Sequence, residues 1–300
     1  MVTSATSILV RPSGFRAWLY VYTAGSRTLL RMAFRRFLRT TVPRSALEAV
    51  ASEVAGRYGE PFRTVEPLEA DNWLSVPCVV NDRWFVKVIA DQHTFVHAVL
   101  TTGRNIGAFS SGTEGFFEGF DTPVEMAEHE LDATHRMREL GVNTPEPLEA
   151  FEHDGFGVVV FEYLPDFRTF DELPRAEAVA FAPVLFDFLS RMHSAGIAHG
   201  DLREENVLVA PVDGESRLYF IDATRVRDDA ISDAKAYDLA CALGSLAPHI
   251  GATAAVTAAR EHYSAVDLLA AREFLDFVQL RPDHDFDGVV IKGEIEKLAS

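Results

Sequence analysis

An eight-residue segment in the second half of the chain, residues 199–206, constrains its fold more than any other. It reads His-Gly-Asp-Leu-Arg-Glu-Glu-Asn, and an apolar run, Val207-Leu208-Val209, follows at once. A carboxylate at Asp201 and an amide five residues later at Asn206, between a predicted helix and a predicted strand, are typical of a phosphoryl-transfer loop. We therefore expect Asp201 to orient or deprotonate an attacking hydroxyl group and Asn206 to bind a magnesium ion.

A lysine inside an apolar strand is the next group that this chemistry requires, because the phosphates carry negative charge. Lys87 lies within the β-rich run Arg83–Ile89, which follows the run Val76–Val80 and a short polar turn, so a hairpin is predicted. The chain has only four lysines against 24 arginines. An alternative is a lysine at a strand edge that extends into water, but the downstream loop favours the phosphate role.

A helical glutamate is expected to orient this lysine. The segment Pro123–Leu140 has the periodicity of an amphipathic helix and ends before Gly141. Glu130 and Glu128 both could lie near its inner face, and we favour Glu130. An ordinary solvated helix face is the alternative for these acids.

A second metal ligand is expected at Asp222. It ends the apolar run Arg217–Ile221 and comes 16 residues after Asn206. If one strand starts after Asn206 and a neighbouring strand ends before Asp222, the side-chain oxygens of both residues lie at the same edge of a sheet, in one cleft. The alternative is an aspartate that merely terminates a strand.

The form His-Gly-Asp-Leu-x3-Asn resembles the protein-kinase-like superfamily in its small atypical branches. These branches are the RIO kinases, the small kinase of the tRNA-modifying KEOPS complex, the Kdo/lipopolysaccharide kinases and the aminoglycoside-type phosphotransferases. The resemblance implies ATP and Mg²⁺ as cofactors. It also implies an α+β fold with two lobes: a small β-rich N-lobe and an α-rich C-lobe, here with an N-terminal helical extension.

The same resemblance implies roles for further residues. The segment Asp233–Leu239 is similar to the helix-F region of the KEOPS and Kdo kinases, so Asp238 would buttress the catalytic loop. The segment 161–164 is similar to the hinge that binds adenine, which assigns Glu162 and Leu164 to the nucleotide. In the loop itself, Arg203 would lie near the transferred phosphate, and His199 is counted with the catalytic residues.

The chain also departs from this family pattern. No glycine-rich loop precedes Lys87; the corresponding turn, residues 69–75, contains no glycine, so Asn72 or Ser75 would have to supply donors to the phosphates. Only 15 residues separate Asp222 from Asp238, too few for a long activation segment with a peptide-docking platform. This interval leaves room for a small-molecule, RNA-associated or self-directed acceptor.

We therefore predict an ATP- and Mg²⁺-dependent phosphotransferase of the RIO-like serine/threonine type. The alternatives are a small-molecule, lipid or sugar kinase of the same superfamily, or a nucleotide-binding scaffold with weak ATPase activity. The predicted domains are an N-terminal extension, an N-lobe with a flexible insertion at 91–122, and a C-lobe, with the bounds 1–60, 61–160 and 161–300. The insertion is either a substrate clamp or a disordered loop.

Helices are expected at four further places. They are residues 45–58, Arg175–Ala195 with Pro183 starting or breaking it, Leu239–Ala247, and Ala252–Leu280. The tail, residues 283–294, fits the spacing of an EF-hand calcium loop, although Ile291 lacks an oxygen at the ninth place.

Charge is uneven along the chain. The net charge is −17, but residues 1–47 hold eight arginines and no acid. Within them an amphipathic helix is predicted, with Arg31, Arg35 and Arg39 on one stripe, which could contact an anionic membrane surface or RNA. The alternatives are a helix packed on the small lobe, or translation that begins at Met32. The two cysteines do not suggest a disulfide framework, and no 18-residue apolar run exists, so a cytoplasmic location is expected.

Overall fold

Helix α1 (Arg44–Arg57) is the first element of the computed structural model, which describes residues 42–68, 75–91, 119–224, 226, 228–280 and 285–299. Leu47, Val50 and Val54 recur at helical spacing on its buried face and pack on the strands that follow. The chain divides into two units, Met1–Thr41 and Val42–Ser300, and α1 lies in the second, where it shares the core of the sheet.

Several predictions from the sequence fall outside the described residues. They are the basic helix with Arg31, Arg35 and Arg39, the phosphate-loop residue Asn72, and most of the insertion at 91–122.

The N-terminal half of the second unit contains an antiparallel five-stranded sheet in the order β1-β2-β3-β5-β4, as far as the described residues show. The predicted hairpin is present, with Val76 opposite Val88 and Val80 opposite Trp84. Asn81 and Asp82 form its turn at positive φ, both at 54°. The strands are β1 (Val65–Pro67), β2 (Val76–Val80), β3 (Trp84–Ile89), β4 (Pro147–His153) and β5 (Phe156–Glu162).

The side chains of β3 alternate between two cores, as the pleat of a strand requires. Val86 and Val88 face the core that α1 covers, whereas Ile89 and Phe85 face the opposite side. Lys87 therefore shares the face of Ile89, where helix α2 packs.

Helix α2 (Pro123–Glu139) covers that second face of the sheet. Thr122 caps its first turn, because its hydroxyl oxygen accepts the backbone N–H of Glu125 at 3.2 Å, and proline at the first helical position suits this start. Met126 and Ala127 are buried against β3 and β5. Glu130, four residues after Met126, is thereby directed toward the sheet and Lys87.

Gly157 of β5 fixes the distance between the sheet and α2. A Cβ atom at this position would come within 2.0 Å of the carbonyl oxygen of Pro123. We expect Gly157→Ala to lower the free energy of unfolding by about 1–3 kcal/mol, because backbone must move to admit the methyl group. Urea unfolding measures this change. Gly56→Ala, where no atom lies within 4 Å, is the control and should not destabilise; equal stability of both variants would contradict the close contact.

The C-terminal half is helical around one large apolar core, so the predicted α+β class is confirmed. A small antiparallel sheet of β6 (Arg168–Thr169), β7 (Val207–Val212) and β8 (Glu215–Phe220) adjoins the helices. The helices of the described residues here are α3 (Arg175–Ser194), α4 (Ile231–Ile250), α5 (Ala252–Arg260), α6 (Ala265–Leu280) and α7 (Gly288–Ala299).

Two helix predictions need correction. Pro183 neither starts nor breaks α3, which continues through it. Val179, whose carbonyl loses its helical donor to this proline, is on the exposed side, where water can take over that hydrogen bond. The predicted helix at Ala252–Leu280 is interrupted, because Ser264 and Asp267 form a new cap for α6 through a bond from the Ser264 N–H to Asp267 at 2.8 Å.

The other C-terminal helix predictions are revised at their ends. Helix α4 begins at Ile231 instead of Leu239, so Asp238 lies inside it. In the tail, α7 begins at Gly288 and buries Ile291 completely, so the ninth place of the EF-hand pattern belongs to the core. Among the described residues, no helix combines the length and the apolar character needed to cross a bilayer.

Candidate active site

Helix α4 binds the backbone of the loop that contains residues 199–206. Asp238 is completely buried, and its two carboxylate oxygens accept the backbone N–H groups of His199 at 2.5 Å and of Gly200 at 2.8 Å. A hydrogen bond from a backbone N–H group to a carboxylate is stronger than one to a neutral acceptor, and Asp238 accepts two such bonds. The position of Asp201 is therefore set by a helix of the large core.

The segment after β8 also binds the backbone of this loop. Thr224 donates its backbone N–H to the carbonyl oxygen of His199 at 2.8 Å. Gly200 has a φ of 78°, and a Cβ atom there would lie 2.4 Å from the Thr224 methyl group. Glycine is thus required both by the left-handed backbone and by this close approach. No pattern in the sequence indicated this role for Thr224.

Asp201 lies at the end of this clamped backbone and is only 5% exposed. The Nε atom of Arg203 lies 3.3 Å from its carboxylate, and Arg203 also pairs with Glu205 at 2.8 Å. Asn206 donates its side-chain amide to the carbonyl oxygen of Asp201 at 2.7 Å. This bond fixes the amide of Asn206 relative to the loop.

Asn206 and Asp222 lie at one edge of the small sheet. Asn206 precedes β7, Asp222 follows β8, and Val207 pairs with Phe220 in the antiparallel register. The N–H of Ile221 donates to the carbonyl of Asn206 at 3.1 Å, which joins the two segments. Asp222 has a φ of 63°, a left-handed conformation that aspartate adopts more readily than most residues other than glycine.

The donor set at this edge suits magnesium. An amide oxygen and a carboxylate are hard ligands, and Mg²⁺ is usually bound by one or two protein oxygens together with water and phosphate oxygens. Within the described residues, no group of three or more His, Cys, Asp or Glu side chains is placed to hold a metal ion. A site at Asn206 and Asp222 would therefore depend on the phosphates of a nucleotide for its remaining ligands.

Lys87 connects the large sheet to this edge. Its ammonium group pairs with Glu130 at 2.5 Å and also with Asp222, while its side chain is 4% exposed. A buried ammonium group needs such partners to offset its loss of hydration. The alternative partner Glu128 is exposed. The structure thus brings Lys87, Glu130 and Asp222 together.

The ring of His199 lies in the core, and not among the catalytic groups where it was predicted. Its side chain is fully buried, and its ring packs edge-on against Phe220 with the ring centroids 5.6 Å apart. Burial lowers the pKa of His199, and this effect exceeds the opposite influence of the carboxylates of Asp238 and Asp201. His199 is therefore a neutral core residue whose backbone, not its ring, takes part in the loop.

The residues predicted to bind adenine and phosphate are spread along the sheet. Glu162 ends β5 with an exposed side chain, and Leu164 is buried in a small apolar cluster with Leu208 and Tyr219. Ser75, next to β2, is buried, and its hydroxyl has no hydrogen-bond partner among the described residues. An unsatisfied buried hydroxyl is costly, so it is a donor available to a ligand.

Two further residues support the loop and were not assigned from the sequence. His193 of α3 places Nε2 3.3 Å from Asp238, and its Nδ1 lies 2.9 Å from the Tyr263 hydroxyl. Burial raises the pKa of Tyr263, and its hydroxyl group forms a hydrogen bond with Nδ1 of His193. The spacing of His193 four residues after Leu189, on the apolar face of α3, was the available signal.

A known domain family matches the part of the chain that holds the catalytic loop and Glu130. Residues 121–235 match the family model described as the RIO domain. The KEOPS complex subunit Bud32 of Pyrococcus abyssi (strain GE5 / Orsay) is 30% identical over 107 residues, which are 35% of this chain and 46% of that protein. The match thus spans less than half the length of this curated relative.

Two of the solved structures that match this chain are kinases, and both have low sequence identity to it and TM-scores below 0.5. The PknI kinase domain of Mycobacterium tuberculosis has 14% identity and a TM-score of 0.39, and the alignment covers 79% of this chain and 95% of that chain. An aminoglycoside-3'-phosphotransferase of type VIII has 17% identity and a TM-score of 0.42, over 76% of this chain and 99% of that chain.

Both sequence matches are to proteins of the protein-kinase-like class, and the RIO domain match includes the catalytic loop. Within that class, residues 121–235 are similar to the RIO domain of small atypical kinases, which is the resemblance that the sequence indicated.

Proposed function

We propose that the chain is an ATP- and Mg²⁺-dependent kinase of the atypical RIO-like type, which transfers a phosphoryl group to an alcohol. The observation that carries this proposal is the convergence of Lys87 with Glu130 and Asp222, next to the loop that bears Asp201 and Asn206. Phosphoryl transfer depends mainly on positioning and on charge stabilisation, and these groups supply both. The RIO domain match over residues 121–235 supports the same class.

In this proposal the loop acts on the acceptor. Asp201 accepts the proton of the attacking hydroxyl group, and Arg203 neutralises charge near the transferred phosphoryl group. His199 serves as a positioning residue, since its buried ring packs on Phe220 and its backbone is bound by Asp238.

The nucleotide would be held on the sheet side. Lys87 would bind the phosphates, with Glu130 directing its ammonium group, while Ser75 and Asn72 would add donors. The hinge at Glu162 and Leu164 would contact adenine. Asn206 and Asp222 would hold Mg²⁺, which, when bound, neutralises the negative charge of the phosphates.

Lys87 offers a direct test of this arrangement. We expect Lys87→Met to lower turnover of γ-labelled ATP by about 10²- to 10³-fold, because a preorganised cation at the phosphates is removed. Lys292→Met is the matched control, since Lys292 of α7 is bound to Asp276 of α6 at 2.6 Å, and neither residue belongs to the proposed site. Circular dichroism should show both variants folded, and full turnover by a folded Lys87→Met would contradict the proposal.

A small or internal acceptor fits the short interval between Asp222 and α4 better than a docked peptide does. Helix α4 begins at Ile231, nine residues after Asp222, which leaves little chain for a peptide platform. Incubation of the chain alone with γ-labelled ATP and Mg²⁺ distinguishes the cases: label on the protein indicates a self-directed reaction, and free phosphate alone indicates a weak ATPase. Label in neither form would leave a small-molecule acceptor that is absent from the mixture, or a nucleotide-binding scaffold, and label transfer to added small alcohols would separate these two.

Location and further partners are part of the same proposal. We infer a cytoplasmic site of action, supported by Cys78 and Cys241, which are buried and form no disulfide in the described residues. Contact with RNA or with an anionic membrane surface through Arg31, Arg35 and Arg39 stays a hypothesis. We also propose that the boundary between the N-lobe and the C-lobe lies near residue 160.

A further inference from the structure

A cavity of about 300 Å³ lies in the helical half, among α3, α4 and the residues that join α5 to α6. None of the residues proposed above to bind nucleotide or metal lines it. Its volume is at the lower end of the range for small-molecule sites in proteins.

The lining of this cavity is rich in unused donors. Among the described residues, no hydrogen bond or ion pair engages the side chains of Ser190, Ser194, Ser232, Lys235 or His262. Lys235 is one of four lysines in a chain with a net charge of −17, so an unpaired ammonium group here is unusual.

The acid in the lining is already bound. The carboxylate of Asp267 accepts the N–H of Ser264 at 2.8 Å and its hydroxyl group at 2.6 Å, and so serves as the cap of α6. One oxygen of Asp267 is thus engaged by the cap of α6, while Lys235, His262 and three serine hydroxyl groups offer donors to a ligand. A small anion with several acceptor oxygens matches this lining best.

The cavity also reaches the catalytic loop through two hydrogen bonds. His193 and Tyr263 line it, and they are bonded to each other at 2.9 Å. His193 in turn contacts Asp238, which binds the amides of His199 and Gly200. A ligand that contacts this pair would act on the group that holds the loop backbone.

We propose that this cavity is a second binding site for a small phosphomonoester, which rigidifies the catalytic loop through His193 and Asp238. The phosphoryl oxygens would accept from Lys235, His262 and the serine hydroxyl groups. Binding and loop rigidity are independent of catalysis; only an effect on turnover rests on the proposed kinase function.

Binding is tested on the full chain by calorimetry with glycerol 3-phosphate, with inorganic phosphate, and with glycerol as the uncharged control. We expect saturable binding of glycerol 3-phosphate by the wild type, and at least about tenfold weaker binding by Lys235→Met, which is about 1.4 kcal/mol. Lys292→Met, the same change on α7, should bind like the wild type. Lys87→Met should do so too, which separates this site from the nucleotide site.

Two results would overturn the site. One is the absence of saturable binding by the wild type, and the other is equal affinity of Lys235→Met and the wild type. The first would leave the cavity unoccupied by this class of ligand, whereas the second would show that phosphate binds elsewhere on the chain.

The link to the loop is tested by amide hydrogen exchange at His199 and Gly200. We expect glycerol 3-phosphate to slow exchange of these amides several-fold in the wild type. At saturating ligand, His193→Phe should lose the slowing, because the phenyl ring has no nitrogen to contact Asp238, and saturation removes any effect of this change on affinity. Ligand binding without slower exchange in the wild type would overturn the link, and neither result depends on ATP turnover.

Discussion

Asp201→Asn is expected to lower phosphoryl transfer by about 10²- to 10⁴-fold, with nucleotide affinity nearly unchanged. Asparagine keeps the shape of the side chain but cannot take the proton of the attacking hydroxyl group. The loop should retain its structure, because Asn206 bonds to the backbone carbonyl of residue 201 and not to its side chain. Rates of label transfer from γ-labelled ATP, measured with Mg²⁺, give the effect.

A neighbouring acid provides the control for this change. Glu205 is half-exposed and pairs with the same Arg203 at 2.8 Å, so Glu205→Gln removes a nearby carboxylate without touching the proposed base. It should change turnover by no more than a few-fold. Similar losses in both variants would mean that general electrostatics, rather than proton transfer at Asp201, accounts for the effect.

Asp238→Asn is expected to destabilise the helical core and to lower turnover together. The carboxylate accepts two backbone amides and faces Nε2 of His193, whereas an asparagine side chain offers only one acceptor oxygen. At least one buried donor is then left without a partner, and its NH₂ group faces another donor. We expect the free energy of unfolding to fall by about 2–4 kcal/mol.

Urea unfolding followed by circular dichroism measures this loss, and Asp233→Asn serves as the control on the same helix. Asp233 lies in the first turn of α4, where a carboxylate interacts mainly with the helix dipole, so its loss should cost less than about 1 kcal/mol. If Asp238→Asn were as stable as Asp233→Asn, the two amide bonds would contribute little to the loop.

The candidate site could be predicted to the extent that local pattern determines it. The catalytic loop, the hairpin with Lys87 and the helix with Glu130 each have a short-range signal: fixed spacing, alternation or helical periodicity. Because the strand that ends at residue 220 is antiparallel to the one that starts at residue 207, the proximity of Asn206 and Asp222 also followed from order along the chain.

The remaining features depend on contacts between distant segments. The sequence shows that position 199 is a histidine but not that its ring points into the core against Phe220. The break between α5 and α6 arises from a cap at Ser264 inside a run that reads as helical. The hydrogen bonds of His193 to Asp238 and Tyr263 join residues 45 and 70 positions apart, and no periodicity reports such a pairing.

The attachment of the catalytic loop to Asp238 also bears on how heat would inactivate this protein. A loop whose amides are bonded to a fully buried residue of α4 has no separate melting step of its own. The loop should therefore keep its geometry up to the temperature at which the helical core unfolds, and activity should not outlast that transition. Substitutions that raise the melting temperature of that core, even far from Asp201, would extend the temperature range over which the loop is ordered.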